Sequence, residues 1–117
     1  MIIHSVNCSV CGTIVLKKER RYKRRKDGEK ISAINMLLDI TPTTGNAAKY
    51  QTFMMVVFTG DGLCSFASRF REGDNVEVRF TPKCRTKENE RGELYYSSYN
   101  LGFYISRAKD NSVTETY

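Results

Sequence analysis

The sequence predicts an all-β domain, with five strands and one short helix between the third and the fourth. Three observations predict it. Segments such as NVEVRFT alternate apolar and polar residues at a spacing of two, the pattern of a strand with one buried face. Asp-Gly, Gly-Asn and Gly-Asp pairs separate those segments, and such pairs mark turns. Around 63–70, between Gly60-Asp61-Gly62 and Gly73, apolar residues fall at i, i+3, i+4 and i+7, the spacing of one helical face.

The elements follow in order. Residues 4–16 read as a β-branched first strand, with Val10, Gly12, Ile14 and Leu16 on one face. The strand continues into the basic stretch KKERRYKRRKDGEK at 17–30. Its Asp27-Gly28 pair suits a hairpin turn, because Gly accepts positive φ at no steric cost. Residues 31–40 return as the second strand, with Ile34, Met36, Leu38 and Ile40 on a common face. A loop at 41–49 leads to a third strand at 50–59, whose run MMVVF is apolar on both faces and so suits a central position. After Gly60-Asp61-Gly62, the helix is expected to bury Leu63, Phe66, Ala67 and Phe70 and to stop at Gly73. A fourth strand occupies 75–81, a charged loop 82–93, and a fifth strand 94–105, bent near 100–102. The domain is expected to span 1–106 and a polar tail 107–117.

Five strands with one helix between the third and the fourth is the layout of an OB-fold, a small five-stranded barrel. A chain of 117 residues with 40% hydrophobic content is one globular domain. The chain carries 19 Lys and Arg against 13 Asp and Glu; residues 17–30 hold nine of the former and three of the latter, leaving 10 of each elsewhere. All of the excess positive charge therefore sits on the first hairpin, which points to a polyanionic partner.

Other function classes fare poorly. The opening MIIHSVNCSV lacks the basic region and cleavage site of a secretory signal. The apolar run at 53–58 is too short to span a bilayer. The chain thus reads as soluble and cytoplasmic, and its cysteines (Cys8, Cys11, Cys64 and Cys84) as reduced thiols. Cys8 and Cys11 form a C-x-x-C, but three-residue spacing in a strand puts them on opposite faces, so no metal is expected. The only histidine, His4, has no nucleophile at a recommending distance, and no Gly-rich phosphate loop is present. The expectation is a non-enzyme without cofactor or small-molecule substrate.

The stretch FMMVVFTGDGLCSFASRFREGDNVEVRFTPKCRTKENERGELYYSS is similar to the bacterial single-stranded DNA-binding proteins. Its apolar third strand ends near Gly60, and Ala67 and Phe70 lie in the helix that follows. The Glu72-Gly73-Asp74 turn, the V-x-V strand and a basic hairpin closing on Gly92 and Tyr96 come next. The resemblance covers roughly 10–99 and implies an OB-fold that binds single-stranded DNA. The chain departs from the family in having no Trp. Phe53 falls at one position where the family stacks bases, while Thr59 and Lys87 stand where it usually has aromatics. The family's acidic tip has no counterpart in the final DNSVTETY. The chain thus resembles a divergent, minimal member, of the kind that phages, plasmids or transposons encode.

Binding a single strand without sequence preference takes cations for the phosphates and π-faces for the bases. OB-folds offer both on the face of strands 2 and 3, between the 1–2 and 4–5 loops. The expected cations are Lys17, Lys18, Arg20, Arg21, Lys23, Arg24 and Arg25 in the first loop, with Lys83, Arg85 and Lys87 in the second. The expected rings are Tyr22, Tyr50, Phe53 and Tyr96. Tyr22 sits amid the basic stretch and is the ring least suited to a core. The expected function is single-stranded DNA binding in replication, recombination or mobile-element maintenance, by a homo-oligomer. The alternatives are an OB-fold accessory subunit that docks on a protein partner, and an RNA-binding module.

Overall fold

The computed structural model of the chain describes residues 6–24 and 26–108. His4 and Arg25, and all of the expected tail beyond Ala108, lie outside the described residues. β1 (Cys8–Lys23) is a 16-residue strand shared between two neighbours. Residues Cys8 to Thr13 pair antiparallel with β4 (Asn75–Glu88), and Thr13 to Lys23 pair antiparallel with β2 (Lys30–Asp39). Cys8 and Cys11 lie in this extended segment, opposite Phe80 and Glu77.

The handover falls at a bulge. Ile14 faces Leu38 but Leu16 faces Leu37, which leaves Val15 as an extra residue. One extra residue moves every later side chain to the other side of the sheet. Ile14 is therefore buried, while Leu16, expected on its face, is 50% exposed. The Glu72-Gly73-Asp74 turn docks here: Gly73 N donates to the Ile14 carbonyl at 2.7 Å, and Ile14 N to the Asp74 carbonyl at 2.9 Å.

β2 pairs along its length with β3 (Phe53–Thr59), from Ala33 opposite Thr59 to Asp39 opposite Phe53. β3 meets β5 (Leu94–Arg107) in parallel at Val57 and Leu101, and β5 pairs antiparallel with β4. The sheet closes in the order β1-β2-β3-β5-β4. With one helix between β3 and β4, this is the OB-fold. Its interior is filled by Ile14, Ile34, Met36, Leu38, Val56, Phe58, Val76, Val78 and Ile105, all fully buried.

The third strand starts later than expected. Asn46–Lys49 forms a 3-10 turn, and Tyr50 lies in a bend before the ladder begins at Phe53. Asp39 fixes this entry. Its Oδ1 accepts from Thr41 N at 2.9 Å and from Thr41 Oγ1 at 2.6 Å, and Thr41 Oγ1 in turn accepts from Thr52 N at 2.9 Å. The hydroxyl and amide of Thr41 hold the Asp39 carboxyl below its ordinary range.

The helix differs in its buried stripe. α1 (Asp61–Ala67) buries Cys64 and Ala67, and Phe70 is buried beyond its end. Phe66, expected in the core, is 42% exposed. Leu63, Ala67 and Phe70, the i, i+4 and i+7 positions, pack on the core as expected, but the fourth buried position is Cys64 and not Phe66. Phe66 lies edge-on to Phe70 at 5.9 Å with the Arg69 guanidinium 5.3 Å from its ring centre. Phe66→Ala is therefore expected to cost only about 1 kcal/mol, the scale of one aromatic pair, rather than the 3–5 kcal/mol typical of a buried ring. A urea midpoint well below wild type would show that the ring is more deeply engaged.

The largest departure is the segment 82–93. It is expected as a charged loop, yet β4 runs on to Glu88 and β5 starts at Leu94, so only 89–93 turns. The strands stay in one register from Phe80 opposite Gly102 to Glu88 opposite Leu94, and form a long second hairpin. The expected irregularity near 100–102 sits one residue on: Arg79 faces Tyr104 and Phe80 faces Gly102, leaving Phe103 extra. β5 also continues past the expected end to Arg107, and Ala108 N donates to the Asn75 carbonyl at 2.9 Å.

Candidate nucleic-acid interface

β3 carries two sets of apolar side chains. Val56 and Phe58 point into the barrel and are fully buried, while Phe53 and Met55 on the alternate face are 45% and 46% exposed. The run MMVVF is apolar on both sides for two different reasons: one face is core, and the other is the floor of an open groove. Phe53, Met55 and Val57 line that groove together with Asn35 of β2 and Leu101 of β5.

Two hairpins wall the groove. On the β1–β2 side stand Arg20 and Tyr22, with the Arg20 guanidinium 5.5 Å from the Tyr22 ring centre. On the β4–β5 side stand Arg85, Lys87 and Tyr99, with the Arg85 guanidinium 4.7 Å from the Tyr99 ring centre. Each wall thus presents a tyrosine with an arginine over its face, a cation–π arrangement that holds a flat ring and a positive charge together. Among the described residues no carboxylate lies within ion-pair distance of Arg20, Arg85 or Lys87. Their charges are open to an incoming anion.

Of the residues expected at the site, Arg20, Tyr22, Phe53, Arg85 and Lys87 come together in the groove. Lys18 faces Asn35 on the same side of the sheet, and Lys83 faces Tyr99. The others lie elsewhere. The bulge at Val15 puts Lys17, Arg21 and Lys23 on the opposite side from Arg20 and Tyr22. Lys17 Nζ there donates to the carbonyls of Ser68 at 3.1 Å and Phe70 at 2.9 Å, closing the end of the helix. Arg24 is bound within the turn to Asp27, with Glu29 at 3.9 Å. Its guanidinium lowers the Asp27 carboxyl, so the hairpin tip is partly self-neutralised. Tyr50 is 72% exposed in the bend before β3, outside the groove. Tyr96 is 71% exposed and pairs with Thr86, on the face of the second hairpin opposite to Arg85 and Lys87. Arg25 lies outside the described residues.

The groove also uses residues that the sequence reading did not single out as its site: Asn35, Met55 and Tyr99. A signal for Tyr99 exists. If 82–93 is taken as a hairpin turning at Arg91, Lys87 falls opposite Tyr95, Arg85 opposite Ser97 and Lys83 opposite Tyr99, as observed. Pairing partners share a face, so Tyr95 and Tyr99, not Tyr96, go with the cations. Asn35 carries no such signal, since an Asn inside a strand reads equally as a surface residue.

These features define an OB-fold protein with an open, cationic groove that bears aromatic rings. Among solved structures, the fold is similar to that of the small single-stranded DNA-binding protein from Streptomyces coelicolor, with a TM-score of 0.60, 14% identity, and 91% of this chain and 96% of that chain covered. It is also similar to Rim1, a mitochondrial single-stranded DNA-binding protein from S. cerevisiae, with a TM-score of 0.60, 13% identity, and 92% and 98% of the two chains covered. The expected resemblance to single-stranded DNA-binding proteins thus holds at the level of the fold. No family model matches the sequence, and no curated protein does.

Proposed function

We propose that this protein binds single-stranded DNA in the groove between its two hairpins, in replication, recombination or mobile-element maintenance. The observation that carries this reading is the pair of arginine-backed tyrosines, Tyr22 and Tyr99, set on opposite walls of an apolar floor with open cations beside them. Bases can stack on rings only when a partner strand does not hide their faces, so such a groove favours single strands over duplex. The fold's likeness to two single-stranded DNA-binding proteins supports the same reading. Lys18, Arg20, Arg85 and Lys87 supply the phosphate contacts, and Tyr22, Phe53 and Tyr99 the stacking faces. A second, partner-binding role for the other side of the β4–β5 hairpin is favoured by the exposure there of Leu94 and Tyr96, at 65% and 71%. That side suits a second copy of the chain or a docking protein.

Fluorescence anisotropy with a labelled oligothymidylate tests the groove. With about four phosphates neutralised, the logarithm of the binding constant is expected to fall against the logarithm of salt with a slope of about −3. Duplex of equal length is expected to bind more weakly at every salt concentration. Equal affinity for duplex, or no binding at low salt, would overturn the proposal, and tighter binding of the matching RNA would redirect it to RNA.

A further inference from the structure

Asn35 occupies the centre of the groove face of β2, opposite Lys18 on one side and Val57 on the other. Its Oδ1 is buried and accepts no hydrogen bond, the only side-chain polar atom among the described residues in that position. The other amide at the floor is already committed, since Asn100 Nδ2 donates to the Met55 carbonyl at 3.0 Å. The neighbours Met55, Val57 and Leu101 are apolar. A leucine of the same size would suit them better, because an unpaired buried carbonyl costs stability. Folding alone gives no reason for an amide here.

We propose that the Asn35 carbonyl is a base-edge acceptor, a subsite that takes an N–H donor from a nucleobase lying on the groove floor. This rests on the reading of the groove as a single-strand site. In a DNA strand the phosphates and deoxyriboses carry no hydrogen-bond donor, whereas every base does: the amino groups of adenine, cytosine and guanine, and the ring N–H of guanine and thymine. An acceptor at the floor with Lys18 and Arg20 on the wall therefore sorts the strand by chemistry. Bases turn inward, and phosphates stay with the cations. Because all four bases can donate, the subsite orients the strand without demanding a sequence. The torsion about χ2 of an asparagine is soft, so a small turn of the amide presents the oxygen to a base.

The experiment compares oligothymidylate with the same oligomer built from N3-methylthymidine, which keeps the ring and the phosphates and removes thymine's only N–H donor. Wild type is expected to bind the methylated oligomer about tenfold more weakly, and Asn35→Leu to bind the two alike. Equal binding of both oligomers by wild type overturns the inference and leaves the single-strand reading standing, whereas failure to bind either overturns both. A methylation penalty that persists in Asn35→Leu assigns it to the methyl group's bulk and overturns the inference. Removing an orphan carbonyl is expected to leave the melting temperature of Asn35→Leu at or above that of wild type. If the leucine variant fails to fold, Asn35→Ala carries the same comparison, and a large loss of stability in both variants assigns the amide a structural role and overturns the inference.

Discussion

Gly102→Ala is expected to destabilise the barrel by about 3 kcal/mol, at the upper end of what overpacking a core typically costs. Gly102 lies in β5 opposite Phe80, beside the residue that breaks the β4–β5 register. A Cβ built there would stand 2.5 Å from Phe58 Cε1, 2.8 Å from Cδ1 and 2.9 Å from Cζ. Phe58 is fully buried, so its ring has no solvent to retreat into. Either the ring leaves its rotamer or β5 lifts away from β3, to which it is joined by the Val57–Leu101 backbone pair and the Asn100–Met55 hydrogen bond. Lifting β5 would also move Tyr99 and the second groove wall. For a domain of this size the expected loss is about 10 °C in melting temperature. Gly62→Ala is the matching control: nothing lies within 4 Å of its added Cβ, and it sits in α1. There the substitution is expected to stabilise by roughly 0.5–1 kcal/mol through helix propensity alone. Phe58→Leu combined with Gly102→Ala is expected to cost less than the sum of the two single changes, because the smaller side chain vacates the contested space. Additive costs would show that the two residues do not compete.

Much of this fold is legible in the sequence where period-two alternation runs undisturbed. Val76, Val78 and Phe80 are inward as their spacing predicts, and Ile34, Met36 and Leu38 likewise. The order of strands and helix, and with it the OB-fold, follows from those segments and the glycine-marked turns between them. Legibility fails at single extra residues. Val15 leaves no mark in composition, yet it decides that Arg20 and Tyr22 face the groove while Arg21 and Lys23 face away. It fails again where charge hides a strand: 82–88 reads as loop because Lys, Arg and Glu dominate it, although every residue from Pro82 to Glu88 pairs with β5. A strand exposed on both faces has no apolar alternation to show. The same blindness exchanged Tyr99 for Tyr96, since the parity of a hairpin is visible only once its turn is located. Phe53 shows the converse limit. Exposed binding rings and buried core rings use the same residue types, and only the barrel's inside and outside tell them apart.

The double substitution Tyr22→Ala with Phe53→Ala is expected to weaken single-strand binding by a hundredfold or more, with the salt slope unchanged. Each ring that stacks a base is worth about 1–3 kcal/mol, and neither ring carries charge, so the number of released counterions stays the same. Tyr22 is also the ring over which Arg20 lies, so its loss frees a guanidinium without removing it. The complementary change, Arg20→Gln with Arg85→Gln, removes two phosphate contacts and is expected to flatten the slope by about 1.4. Tyr96→Ala is the internal control: Tyr96 is the more exposed ring, at 71%, but stands on the face of its hairpin away from the groove. It is expected to leave affinity for the oligonucleotide unchanged. These three variants separate the groove from mere basicity. A polyanion held only by charge would respond to the arginine pair and ignore both ring sets, whereas a strand lying across the other face would be lost with Tyr96 and kept without Tyr22 and Phe53. Loss with Tyr22 and Phe53, a flatter slope with the arginine pair and no change with Tyr96 would show that binding runs through the few side chains that the hairpins turn toward the apolar floor, and not through total charge.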